Sequence, residues 1–117
     1  MNWGYKYLPE ADEDYNQFNK AQKYQIDKAI LKVTKNPLPQ NEGGLGKPLG
    51  HKHGLNLTGL CKITLKQMGI RIVYELIRTD EIMEIVVVAA RADEEVYNIA
   101  AKRRAATHKN KNLGGIT

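Results

Sequence analysis

Between Leu60 and Tyr97 the hydrophobic pattern takes a period of two, and that alternation limits the folds open to this chain. Successive strand residues point to opposite faces. In the run from Cys61 to Lys66, Cys61, Ile63 and Leu65 fall on one face, and Lys62, Thr64 and Lys66 on the other. Gly69 then offers a positive-φ position for a turn. The run from Ile70 to Ile77 is rich in β-branched residues and alternates again, with Ile70, Ile72, Tyr74 and Leu76 opposed to Arg71, Val73, Glu75 and Ile77. Arg78 to Glu81 reads as a second hairpin turn. Ile82 to Ala90 is nearly all apolar, as an inner strand covered on both sides would be. Asp93 is placed to cap a helix through Val96, Tyr97, Ile99 and Ala100. The stretch predicts an antiparallel meander followed by a helix.

One face of that meander carries Lys62 and Arg71 on adjacent strands, with Arg91 at its edge and Tyr97 soon after. Taken singly, each cation reads as a solubilising charge. As a set with few acidic residues near it in sequence, the group repels itself and favours an anionic ligand. The whole chain leans the same way, with a net charge of +5 over 117 residues. No acidic residue follows Glu95, whereas Lys102, Arg103, Arg104, Lys109 and Lys111 do. Nucleic acid is the commonest partner for such a balance. The length suits one domain with a small core. A lone cysteine, Cys61, excludes an internal disulfide, reads as a buried small hydrophobe and suits a reducing cytosol. Met1 to Leu8 lacks the basic start and apolar core of a signal peptide, and no apolar run approaches membrane-spanning length, so a cytoplasmic location is expected.

Ahead of the meander, Trp3 to Leu8 alternates weakly and suits a strand at a sheet edge. Pro9, Glu10, Asp12 and Glu13 read as the first turn of a helix, whose stripe is Ala11, Tyr15 and Phe18. Asn19 and Gln22 form a capping-box pattern before a second helix with Ile26, Ala29, Ile30 and Val33 on one side. The two helices make a hairpin that covers the apolar sheet face. Asn36 to Gly59, crowded with proline and glycine, reads as a long irregular loop, a place where function often sits. The loop holds Lys47, His51 and His53. The two histidines have no cysteine or carboxylate partner at a metal-site spacing, so no metal and no cofactor is expected. The fold class is α+β: an N-terminal helical hairpin packed on a small, mainly antiparallel sheet, with a short C-terminal helix. Residues 1–106 are expected to form the domain, and 107–117 a disordered basic tail.

Several segments resemble the RelE/ParE toxin superfamily, and its RelE branch in particular: NPLPQNEGGLGKPLG from Asn36, LTGLCKITL from Leu57, GIRIVYEL from Gly69 and ARADEEVYNIAAKRR from Ala90. The resemblance runs from Tyr5 to Arg104. It implies the RelE-like microbial RNase fold and a toxin that cleaves messenger RNA in the ribosomal A site. It also implies a cognate antitoxin, in a hetero-oligomer. Carried over position by position, the family's catalytic side chains fall on Lys62, Arg71, Arg91 and Tyr97. A second family lysine, two residues after the first, is Thr64 here, and Lys66 shares its face. Lys47, His51, His53, Thr64 and Lys66 complete the expected substrate-binding set.

Metal-free RNA cleavage uses the ribose 2′-OH as nucleophile and needs a base, cations around the phosphorane and help for the departing 5′-oxygen. Clustered cations would lower the pKa of Lys62 and fit it as the base. Arg71 and Arg91 offer planar forks for phosphate oxygens, and Tyr97 a ring for a base or a hydroxyl for the phosphate. Two other readings share the fold: a ParE-like, non-enzymatic inhibitor of DNA gyrase, which would not need the lysine, arginine and tyrosine set, and a member that binds RNA or antitoxin without cutting, which the loss of the second lysine at Thr64 allows.

Overall fold

The computed structural model describes residues 2–116, and side chains as far as His108. Ten elements follow one another: strand β1 (Gly4–Tyr7), helices α1 (Pro9–Asn16) and α2 (Lys20–Val33), a 3-10 turn at Gln40–Glu42, strands β2 (Lys47–Lys52) and β3 (Leu55–Leu65), a 3-10 turn at Lys66–Met68, strands β4 (Ile70–Ile77) and β5 (Ile82–Ala89), and helix α3 (Asp93–Ile116). The five strands form one sheet in the order β1-β5-β4-β3-β2. β1 joins β5 in parallel, and the other pairs are antiparallel. The architecture is the α+β one read from the sequence, with an edge strand ahead of the helical hairpin.

Local chemistry accounts for the element ends. Pro9 opens α1 where its missing N–H costs nothing, and Glu10 and Asp12 sit in that first turn. At α2 both capping-box bonds are present: Gln22 N–H donates to Asn19 Oδ1 at 2.8 Å, and Asn19 N–H to Gln22 Oε1 at 2.9 Å. Gly69, with φ of 65°, takes the left-handed position that joins β3 to β4.

The adjacent residues Ile72, Val73 and Tyr74 are all fully buried, so both faces of the sheet are covered. α3 packs on β3, β4 and β5 over the face that bears Lys62 and Arg71, burying Val96, Tyr97 and Ala100. α1 packs on β5 and α2 on β3, and Ala11, Ile26 and Ile30 fill the other layer. The face that bears these cations is therefore roofed by a helix.

Three further details depart from the sequence reading. The segment taken as an irregular loop to Gly59 contains all of β2 and the start of β3. β2 is an edge strand with a register shift between Pro48 and Gly50, and there Pro48 and a glycine at φ of 57° are tolerated. The C-terminal helix is 24 residues long rather than short, and it passes the boundary expected at Ala106. Thr107 Oγ1 donates to the Arg103 carbonyl at 2.9 Å, and His108 Nε2 lies 3.1 Å from Glu75 Oε1. The rest of the expected tail, from residue 109, lies outside the residues whose side chains are described.

Candidate functional site

β3 and β4 are paired so that Thr64 faces Arg71 and Lys62 faces Val73. Paired residues share a face, so Lys62 and Arg71 rise from the same side of the sheet. Lys47 on β2 is the partner of Lys62 across the next ladder. Above them α3 presents Asp93 and Tyr97, four residues apart and so on one side of the helix. The three elements meet at Lys62. Its Nζ donates to Tyr97 Oη at 2.8 Å and to the two Asp93 oxygens at 3.2 and 3.3 Å. It also lies 5.4 Å from the centre of the Tyr97 ring, within cation–π range. Arg71 Nε donates to Asp93 Oδ1, and Arg71 Nη1 to the Arg91 carbonyl at 2.7 Å.

Asp93 is the residue that sequence reading misjudged. An aspartate just before a helical stripe reads as a cap, and no cationic partner is adjacent in sequence. In the structure Asp93 is the first residue of α3, and its carboxylate turns down onto Lys62 and Arg71. The signal available was the opposite-charge pairing that a buried lysine requires. Lys62 is only 9% exposed, while Asp93 keeps 39% of its side chain exposed.

The electrostatics follow. Burial disfavours the Lys62 ammonium, but hydrogen bonds to Tyr97 and Asp93 outweigh it and raise its pKa above the ordinary lysine value. Burial alone would raise the Asp93 carboxyl, yet bonds to Arg71 and Lys62 hold it below the usual aspartate value. The lowered lysine pKa expected from clustered cations is thus reversed, because the cluster contains its own anion. These bonds favour the protonated form of Lys62.

The other expected site residues divide. His53, at the β2–β3 turn with φ of 51°, brings its ring 5.9 Å from that of Tyr97. Tyr97 is 3% exposed, so its ring offers no open platform for a nucleobase. The Arg91 side chain pairs with Glu95 at 2.9 Å, both well exposed. His51, paired in register with Asn56, is exposed farther along β2. Lys66 is exposed in the 3-10 turn, out of the strand. Thr64 is half-buried and lines a groove with Ala21, Gln25 and Met68. Among the described residues no group of three or more His, Cys, Asp or Glu side chains is disposed to hold a metal ion, and no helix is long and apolar enough to cross a membrane.

The fold is that of the RelE toxins. It superposes on the free state of an arginine-substituted Escherichia coli RelE with a TM-score of 0.70 at 21% identity, covering 88% of this chain and 98% of that one. The toxin–antitoxin complex RelBE2 from Mycobacterium tuberculosis aligns with a TM-score of 0.61 at 18% identity, over 80% of this chain and 95% of that one. In sequence the chain is 29% identical over 106 residues to an E. coli protein described as a candidate RelE-like toxin, spanning 88% of this chain and 98% of the relative. No protein-family model matches the chain. In both fold and sequence the chain is thus similar to the RelE-like toxins.

Proposed function

We propose that this chain is the toxin of a toxin–antitoxin pair, a cytoplasmic endoribonuclease that cleaves messenger RNA in the ribosomal A site. Residues 1–106 carry the activity. The observation that supports this reading most is the meeting of Lys62, Arg71 and Tyr97 at one point of a RelE fold. The reaction is attack of the ribose 2′-oxygen on the adjacent phosphorus, with rupture of the bond from phosphorus to the 5′-oxygen. It yields a 2′,3′-cyclic phosphate and a free 5′-hydroxyl. One proton leaves the 2′-OH and one reaches the 5′-oxygen, so no oxidant, reductant or metal is needed for balance. Arg71 holds the non-bridging oxygens with its fork. Lys62 stays protonated, stabilises the phosphorane and faces the leaving oxygen. Tyr97 fixes the Lys62 ammonium through its hydroxyl. His53 is the group of this set proposed for proton transfer, its ring lying 5.9 Å from that of Tyr97. Lys47 and Arg91 contact flanking phosphates.

RelE also appears in complexes with its antitoxin among the similar structures, and the acid-free segment after Glu95 suits an acidic partner here. The test is induction of the chain in cells, with protein synthesis and DNA replication followed separately. Protein synthesis stops first on this account. Replication stopping first would instead support gyrase inhibition. Thr64, which takes the place of a second lysine, favours a third reading, binding without cleavage; growth unaffected by the induced, folded chain would support it.

A further inference from the structure

Lys62 and Arg71 come from neighbouring strands, and each bonds the same carboxylate. That carboxylate presents two oxygens to two cations, as a phosphodiester presents its two non-bridging oxygens. It also lies on the first residue of α3, beside the unpaired N–H groups of a helix start, which favour anions. A site built this way binds a single anionic group, and Asp93 fills it from within the chain.

Asp93 is tied to the sheet by the short segment after β5, where Ala90 and Arg91 belong to no helix or strand. Its half-open side chain is the accessible side of the cluster, whereas Lys62 and Tyr97 lie beneath it. An anion arriving from solvent therefore meets Asp93 before it meets Lys62. Both cations are already satisfied, so the newcomer gains little unless Asp93 moves aside.

We propose that Asp93 is an internal competitor for the phosphate site, and that RNA binds there by displacing its carboxylate from Lys62 and Arg71. The inference rests on the reading of this face as the site of the scissile phosphate. A tethered carboxylate acts at a high effective concentration, and it lowers the apparent affinity of any competing anion by the fraction of time the site stands open. Small phosphates are excluded. A polynucleotide that also reaches Lys47, His53 and Arg91 supplies enough added contact to open the site. Asp93 thereby selects for an extended, well-anchored RNA over free nucleotides.

The test uses the full chain, its Asp93→Asn variant and, as a second substitution, Asp93→Ser, with thermal unfolding to establish that each is folded. Binding is measured for a fluorescent RNA oligonucleotide at low salt and for inorganic phosphate by phosphorus NMR. The expected result is about tenfold tighter RNA binding by the variants, and phosphate binding that the wild type lacks. Equal or weaker binding of both probes by folded variants overturns the proposal, because Asp93 would then be a strut rather than a competitor. Cleavage of ribosome-bound message is read on the same samples. Its absence from all of them counts against the nuclease reading, while the affinities still decide the role of Asp93.

Discussion

A buried lysine needs an anion within reach, and the single carboxylate at Asp93 fixes both the register of α3 and the charge state of the cluster. Asp93→Ala leaves Lys62 with Tyr97 alone, and because the pair is partly exposed the expected loss is about 1–2 kcal/mol, below the range for a fully buried pair. Thermal unfolding measures it. The pH dependence has a definite sign. Asp93 has a lowered pKa, so its contribution is present above the unfolded value near 4 and is lost as pH falls through the still lower folded value. Lys62 has a raised pKa, so its contribution is present below about 10.5 and is lost as pH rises through the folded value. Between those limits this site adds no slope. Unfolding profiles of wild type and Asp93→Asn should run parallel from pH 5 to 10 and converge in acid; divergence at neutral pH would contradict the pairing. At this scale Lys62, Arg71 and Tyr97 were legible in the sequence from alternation and resemblance. Asp93 was not, since its partner lies 31 residues away and a cap would look the same.

At the scale of elements, the sheet edges show how this fold avoids unpaired strands. β1 pairs β5 only as far as Ile85. Beyond that point Asp14 of α1 accepts from Val88 N–H at 3.1 Å, and Arg103 of α3 donates to the Val86 carbonyl at 3.0 Å. The two side chains also pair with each other, at 2.6 Å. They substitute for a missing strand and join the two helical layers around the edge. Asp14→Ala strips a partner from both Val88 and Arg103, with an expected cost of about 1–3 kcal/mol in thermal unfolding; no change in Tm would show that the edge is satisfied by water instead. In the sequence Asp14 merely follows the acidic helix start, and nothing local there points to Val88 or Arg103. The meander, the capping box and the turn at Gly69 were legible because each rests on a local rule. β2 was not, because proline and glycine lower strand propensity everywhere except at an edge or a bulge. Gly44 makes that segment's constraint visible: a Cβ there would stand 1.9 Å from the Leu38 carbonyl oxygen. Gly44→Ala should therefore unfold the segment locally, which loss of hydrogen-exchange protection around Leu38 and Gly46 would record.

At the scale of the whole molecule, a positively charged chain holds under a helix the most buried cation among the described residues, with an internal anion in the place proposed for the substrate phosphate. α3 is fastened at its start by Asp93, and farther along by Arg103, by Arg104, which donates to the Asn56 carbonyl at 2.7 Å, and by His108 at Glu75. Access to Lys62 and Arg71 thus depends on the seating of α3, a coupling invisible to any local reading of the sequence. The most direct test is to map the cleavage of messenger RNA on programmed ribosomes for the wild type and for Arg71→Ala. The wild type should cut within the A-site codon, and Arg71→Ala, folded as judged by thermal unfolding, should cut about a hundredfold to a thousandfold more slowly. A folded Arg71→Ala variant that cuts at the wild-type rate, or a wild type that leaves the message intact, would contradict the account.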